Sequence, residues 1–425
     1  MPEKKSNYLS AVLFTLYLMS LISVIFSFRA ITSISIPLLL VAGVARNKIQ
    51  YGSLLSPALK NPLFVSCCLF FLLQLISLAH TSDLQQGTRN LFSKTALIAI
   101  PAFIFGSDYL NAEVRNNILK WYCVALCAAC LFAIFHAFQS YAVAHDFSVF
   151  LYHSLVSIYS RHAIQFSILV FIALVHLIET LKTKQWLLSR SVHVSVILFF
   201  ILFLILLSSK LVIAFFVVYI VAVLTRSFRS ISKPFLLSSI TGLVVLAAFI
   251  LIIPNPISNR FQEIIQTDFN FLERNKFDPG EYFNGLQFRM LQWRFVPQIL
   301  TEKKAWITGV SVGDAQACLD KKYIAANMYI GSPVRHDKGL IGYNTHNEFL
   351  EALLQTGIPG LIAFMMITAA FIRMILIRKD SELTAVTILL LIYSVSESVF
   401  ESQYSLYIYL FFPLFFYPGE RTTRQ

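Results

Sequence analysis

The sequence predicts an all-α integral membrane protein with about twelve transmembrane helices and one large loop that contains short helices. Two observations support this fold class. The 425-residue chain is 57% hydrophobic and only 13% charged, whereas about 25% of the residues in a soluble domain are charged. The apolar residues also gather into runs whose length suits a helix that crosses the hydrocarbon core of a bilayer. These features exclude a soluble globular domain.

The apolar runs predict nine transmembrane helices before the large loop and three after it. The predicted spans are 8–28, 30–45, 61–80, 94–107, 117–139, 162–181, 192–208, 210–225, 234–253, 358–377, 383–398 and 403–418. The chain is therefore expected to divide into three parts. Residues 1–253 hold helices one to nine, residues 254–357 form the loop, and residues 358–425 hold helices ten to twelve and a tail.

Basic residues mark alternate connections, which predicts the orientation of the chain in the membrane. With a cytoplasmic N-terminus, every inside connection is basic and the outside connections before the large loop carry few cations. The inside cations are Arg46, Lys48, Lys60, Arg115, Lys120, Lys182, Lys184, Arg190, Arg226, Arg229, Lys233, Arg373, Arg378, Lys379, Arg421 and Arg424. Both termini are then cytoplasmic and the large loop lies outside. Because no organelle targeting signal is found, we interpret that side as the periplasm of a bacterium and the membrane as the inner one.

The net charge of +12 raises the question of an acidic partner. The basic residues are spread over short loops instead of one face, so a nucleic-acid partner is excluded. Membrane topology and an anionic substrate are the better explanations.

The large loop is predicted to be structured. Ile257, Phe261, Ile264 and Ile265 recur at helical spacing and indicate an amphipathic helix at the membrane surface. Residues 286–300 predict a second helix with a bend at Pro297. The segment 306–314 contains two glycines four apart, for which a loop that enters a helix is favoured over a phosphate site.

The end of the loop reads as a capped helix that begins near His346. Thr345 is expected to be the N-cap, and Glu348 three residues later would complete a capping box. Gly357 supplies the stop. The apolar stripe comprises Phe349, Leu350, Leu353 and Leu354. In the first turn of a helix the dipole favours a neutral imidazole, which can accept a proton as a general base does. The alternative is that His346 is only a polar residue at a helix start.

The pattern His-Asn-x-x-Leu followed by Gly-x-x-Gly runs from His346 to Gly360. It resembles the signature of the bacterial O-antigen ligase and polymerase superfamily, whose members are membrane glycosyltransferases that use polyprenyl-pyrophosphate-linked glycans. The resemblance implies that His346 is the catalytic base, with Asn347 in a supporting role.

Three cations are candidates for binding the substrate. Arg289 resembles a basic position that family members place in the loop before the histidine; the alternative is an exposed helix arginine. Lys210 stands where members commonly have arginine, and otherwise is a lysine that snorkels at a hairpin turn. Arg161 opens the sixth segment at the outer face and is either an interfacial anchor or a residue that binds a lipid phosphate or an acceptor.

Glu397 and Glu401 are four residues apart at the outer end of the eleventh segment, so they are expected to share a helix face. Carboxylates at membrane depth seldom stand unpaired. We expect them to hold and orient Lys210 or an arginine; the alternative is a catalytic acid pair.

The resemblance implies that a glycan moves from undecaprenyl pyrophosphate onto a sugar hydroxyl of a lipid A–core acceptor by a single inverting displacement. No aspartate pair in the outer loops has the spacing that holds a divalent ion, so neither a metal nor a cofactor is expected. The ligase is favoured because residues 139–161 form only a short outer loop, whereas polymerases often have a second large one. A polymerase, an oligosaccharyltransferase that acts on protein, and a transporter of lipid-linked glycans remain alternatives.

Overall fold

A computed structural model describes residues 2–52, 60–107, 109–185, 189–226, 269–332 and 337–417. Over these ranges the chain is helical or irregular, apart from an isolated antiparallel bridge between Ser332 and Asp337. The all-helical class predicted from the sequence is confirmed. The ninth predicted span, 234–253, and the predicted amphipathic helix at 257–265 lie outside the described residues.

Fifteen α-helices are described. They are α1 (Pro2–Ile25), α2 (Arg29–Tyr51), α3 (Pro62–Ser77), α4 (Leu84–Ser93), α5 (Ala96–Gly106), α6 (Ala112–Ala144), α7 (Tyr152–Leu155), α8 (Ala163–Lys182), α9 (Arg190–Leu206), α10 (Lys210–Arg226), α11 (Gly285–Glu302), α12 (Ala315–Ala325), α13 (Glu348–Arg378), α14 (Ser381–Ser396) and α15 (Gln403–Phe416). Every predicted apolar segment that falls on described residues coincides with one of them.

Six of the described helices contain a stretch long and apolar enough to cross a membrane. The stretches are Asn7–Ile25, Arg29–Ile49, Pro62–His80, Ala112–Ala144, Ala163–Lys182 and Glu348–Arg378. Helices α9, α14 and α15 are apolar but shorter. The chain is therefore a helical multi-pass membrane protein, and the number of twelve crossings stays a prediction.

The helices pack into two compact units. The first unit comprises Met1–Leu13, Ile36–Ala112 and Thr267–Gln425, and the second comprises Phe14–Ser35 and Glu113–Gln266. In the second unit α8 is central: it packs against α9 and α10, and its residues from Gln165 to Leu177 are buried. The division predicted at residues 253 and 357 follows sequence order and stays a prediction.

In the first unit, α3 packs along α13 and α5 packs along α15. Helix α15 is buried along most of its length, although its sequence is that of a membrane helix. A smaller hydrophobic core lies under the described part of the large loop. Its members include Phe288, Leu291, Phe295, Leu319, Tyr323 and Leu354, from α11, α12 and α13. This core attaches the loop helices to the first turns of α13.

Helix α13 is broken at Gly357, where φ is 69° and ψ is −163°. The loop segment 306–311 lies across the break: the Val310 amide donates to the Leu354 carbonyl at 2.8 Å, and the Ile358 amide donates to the Trp306 carbonyl at 2.9 Å. A Cβ on Gly357 would lie 2.3 Å from the Ile307 carbonyl oxygen. The glycine therefore leaves room for the backbone of segment 306–311, which forms hydrogen bonds with the groups that the broken helix leaves unpaired.

Candidate active site

The turn that carries His346 immediately precedes α13. The N-cap is Asn347, whose Oδ1 accepts the Leu350 amide at 3.1 Å. The predicted capping box of Thr345 and Glu348 is therefore wrong, and His346 lies just outside the first turn. The physical reason is tertiary: the buried Glu348 carboxylate accepts the Phe400 amide at 2.9 Å and is not available to the turn.

His346 adopts a left-handed backbone conformation, with φ at 46°, which costs a non-glycine residue roughly 1–2 kcal/mol. Hydrogen bonds hold the residues on both sides of it. The Trp293 indole donates to the Thr345 carbonyl at 3.0 Å, and the Asn347 amide donates to the Ser398 hydroxyl at 3.2 Å. The turn is thus fixed by α11 and by the connection between α14 and α15.

The imidazole of His346 is paired with a carboxylate. Its Nδ1 lies 2.8 Å from Glu397 Oε2, and the two side chains are 18% and 21% exposed. A carboxylate accepts but does not donate, so the neutral imidazole carries its proton on Nδ1 and leaves the Nε2 lone pair open. This tautomer is inferred from the hydrogen-bond partner. A partly exposed Nε2 lone pair is what a general base requires.

Arg289 on α11 binds the other oxygen of the same carboxylate. Its Nη2 donates to Glu397 Oε1 at 3.1 Å, its Nε donates to the Ser396 carbonyl at 3.1 Å, and its Nη1 donates to the Gly285 carbonyl at 3.1 Å. A guanidinium has five N–H groups, so two remain for an anion. Glu397 therefore joins a base and a cation, and the structure brings together three residues predicted for the site.

The glutamates do not share a helix face, so that prediction is wrong. Helix α14 ends at Ser396, and the backbone of Glu397 is extended, with φ at −151° and ψ at 144°. The Arg289 guanidinium binds the last carbonyl of α14, which ends the helix and directs Glu397 towards His346. Glu401 turns elsewhere and pairs with Lys94 at 2.7 Å.

Sequence reasoning missed Lys94, whose side chain is fully buried in the first unit. It is the residue after α4 and the first residue of the predicted span 94–107, to which no role was assigned. The sequence did contain a signal for Lys94. It is a lone lysine at the start of an apolar run, and the chain has glutamates that need partners at membrane depth.

Tyr343 stands beside the imidazole, with ring centroids 5.8 Å apart and an angle of 41° between the planes. Its backbone is fixed by the Tyr323 hydroxyl, which donates to the Tyr343 carbonyl at 2.7 Å. Burial raises the pKa of Tyr323 above its usual range, so this hydroxyl stays protonated as a donor. Tyr343 is 46% exposed, so an aromatic side chain beside His346 is accessible from outside the protein.

Arg161 and Lys210 belong to the second unit. Arg161 is buried, at 6% exposed, and lies just before α8. Lys210 is partly buried and is the first residue of α10. It follows a turn at Ser208, where φ is 49°, as expected for a hairpin. Their predicted contact with phosphate is not tested by these positions and stays a prediction.

The family to which this site is similar is indicated by a comparison with family models. Residues 193–365 match a family model described as O-Antigen ligase. The matched stretch includes His346 and Arg289, and it confirms the superfamily that the His346 motif indicated. Glu397, Glu401 and Lys94 lie beyond it. No curated protein matches the chain.

Proposed function

We propose that this member of the O-antigen ligase and polymerase superfamily transfers a glycan from undecaprenyl pyrophosphate to a sugar hydroxyl of a lipid A–core acceptor. The observation that carries the proposal is the 2.8 Å contact between His346 Nδ1 and Glu397, since that carboxylate also binds Arg289. A base and a cation held by one carboxylate suit a displacement that removes a proton at one atom and releases an anion at another.

In the proposed step the acceptor hydroxyl oxygen attacks the anomeric carbon of the donor glycan. The bond from that carbon to the phosphate oxygen breaks, and its electron pair leaves with the polyprenyl pyrophosphate. The hydroxyl proton passes to His346 Nε2. Attack from the face opposite the leaving group inverts the anomeric centre.

Glu397 has the role of an orienting carboxylate in this scheme. It holds the tautomer that exposes Nε2, and it stabilises the imidazolium that forms when the proton arrives. Arg289 offers its two remaining N–H groups to the pyrophosphate as negative charge develops there. Asn347 and Glu401 support the turn from the N-cap and from the Lys94 pair. Lys210 and Arg161 are proposed as further phosphate ligands on the family resemblance.

The reaction as proposed needs no cofactor and no metal. The donor already carries a pyrophosphate leaving group, and guanidinium and ammonium groups can offset its charge. Both substrates are amphipathic lipids, so an active site at the periplasmic face of the inner membrane lets them enter from the bilayer. Cytoplasmic termini follow from the distribution of basic residues.

A polymerase of the same superfamily is the second candidate, because the match to residues 193–365 covers His346, Arg289 and Lys210, which would serve a donor common to both enzymes. It would join repeat units while both remain on lipid carriers. A transporter of lipid-linked glycans is a third and non-enzymatic candidate.

The test is a reconstituted transfer assay with purified protein, an undecaprenyl-pyrophosphate glycan, a lipid A–core acceptor and EDTA. Wild type is compared with His346→Ala and with His80→Ala, an exposed histidine of the same unit. Conjugate from wild type and His80→Ala, but not from His346→Ala, is the expected result. Lengthening of the lipid-linked glycan identifies the polymerase, and movement of the glycan between leaflets without product identifies a transporter.

A further inference from the structure

Lys94 is an uncommon residue because its whole side chain is buried, at 0% exposed. Lysine is almost never fully buried unless it is paired. Its Nζ lies 2.7 Å from Glu401 Oε1, 2.8 Å from Gln355 Oε1 and 3.4 Å from Gln74 Oε1. These contacts use the three donors of the ammonium group. The charge is therefore held in one position by α3, α13 and the connection before α15.

The hydrogen bonds continue from Lys94 towards the His346 turn. The Gln355 amide nitrogen donates to Glu401 Oε1 at 2.8 Å and to Glu351 Oε1 at 2.7 Å, so this amide joins two carboxylates. The other oxygen of Glu351 accepts the Thr345 hydroxyl at 2.8 Å and the Thr345 amide at 3.2 Å. The network therefore ends at Thr345, the residue directly before the proposed base.

Charge balance makes this network sensitive to Lys94. Glu351 is 3% exposed and Glu348, on the same helix, is 1% exposed; with Glu401 they place three carboxyl groups near one ammonium. When one partner of a buried ion pair is removed, an uncompensated charge remains and the surrounding groups must rearrange. Glu351, which accepts two hydrogen bonds from Thr345, is one of these groups. Its displacement would release Thr345.

We infer that Lys94 is a positioning residue for the glycosyl transfer: its charge holds the Gln355, Glu401 and Glu351 side chains so that Thr345 fixes the turn bearing His346. The inference rests on the proposed role of His346 as the base. Lys94 acts through the turn and not on the reacting atoms. A misplacement of the base by about 1 Å is enough to lower a rate by roughly 100-fold.

The test compares full-length wild type with Lys94→Met, with the double variant Lys94→Met/Glu401→Gln, and with Lys321→Met as a control at an exposed position of α12. Kinetics give kcat and the KM for donor and acceptor. Hydrogen exchange measured by mass spectrometry reports on the amides of the peptide around Thr345. Size-exclusion chromatography in detergent identifies variants that fold.

Lys94→Met is expected to lower kcat by about 10- to 100-fold, to leave both KM values within about threefold, and to speed exchange at the His346 turn by about tenfold. The double variant removes the ammonium together with the carboxylate that it contacts at 2.7 Å, so neither member of the pair is left without the other. It is therefore expected to recover kcat to within about fivefold of wild type and to restore slow exchange. Lys321→Met should match wild type in every measurement.

Two results would overturn the inference. One is a folded Lys94→Met with wild-type kcat and wild-type exchange at the turn. The other is a folded double variant as slow in catalysis and as fast in exchange as Lys94→Met, since charge balance would then not set the turn. If Lys94→Met does not fold, the double variant decides. If wild type transfers no glycan, the proposed function fails, and the exchange measurements alone decide whether Lys94 holds the turn.

Discussion

Glu397→Gln is the sharpest test of the proposed base because both neighbours of this carboxylate donate to it, whereas a glutamine amide has only one acceptor oxygen. Arg289 Nη2, 3.1 Å from Oε1, can only donate, so the glutamine amide would turn its oxygen towards the guanidinium. The amide NH₂ would then face His346 Nδ1, 2.8 Å from the present Oε2. A donor there requires Nδ1 to accept, which moves the imidazole proton to Nε2 and removes the lone pair needed for catalysis.

In a serine protease, the wrong tautomer in a carboxylate–histidine pair lowers kcat by about 10⁴-fold, and this value sets the upper limit for the loss expected here. The site of the present chain is partly exposed, and the imidazole can flip at some cost, so we expect a loss of about 10²- to 10⁴-fold. This loss corresponds to about 3–5 kcal/mol of activation free energy.

The measurement is kcat for Glu397→Gln in the reconstituted transfer assay at saturating donor and acceptor. Glu302→Gln is the matched control: its carboxylate pairs with Lys322 and is 62% exposed, and exposed pairs contribute about 0–1 kcal/mol. If folded Glu397→Gln keeps more than about a third of the wild-type kcat, the orienting role of Glu397 is wrong.

Two further substitutions test the cation and the helix break. Arg289→Lys should lower kcat/KM for the donor by about 10- to 100-fold, because one ammonium cannot replace the guanidinium contacts. Arg274→Lys, at a side chain that is 48% exposed, is the control. Equal effects of the two substitutions would contradict the role of Arg289 in binding the donor. Gly357→Ala should lower the free energy of unfolding by about 2–5 kcal/mol, measured by denaturation in detergent, because it combines a positive φ with a Cβ clash. Gly342→Ala, where φ is 85° and no atom lies within 4 Å of the Cβ, isolates the cost of φ. A Gly357→Ala protein no less stable than this control would contradict the close packing of segment 306–311 on Gly357.

The short-range features of this chain were readable from its sequence. Helices follow from runs of apolar residues, and the break of α13 at Gly357 follows from the positive φ that glycine tolerates. The spacing between His346 and Gly360 indicated the superfamily, because such a motif is contained in one continuous segment. In each case the determining interactions join residues close together in the chain.

Tertiary structure decided the partners of the charged groups. Glu397 meets His346 across 51 positions of sequence, and Lys94 meets Gln355 across 261. The local pattern at Thr345 and Glu348 favoured a capping box, but Glu348 lowers the free energy of the folded chain more by accepting a buried amide from Phe400. A buried charge takes the partner that packing brings within hydrogen-bond distance, and that choice depends on which helices touch. Hence the sequence determined the helices and the motif, while the packing of α3, α11, α13 and α14 determined which carboxylate serves which cation.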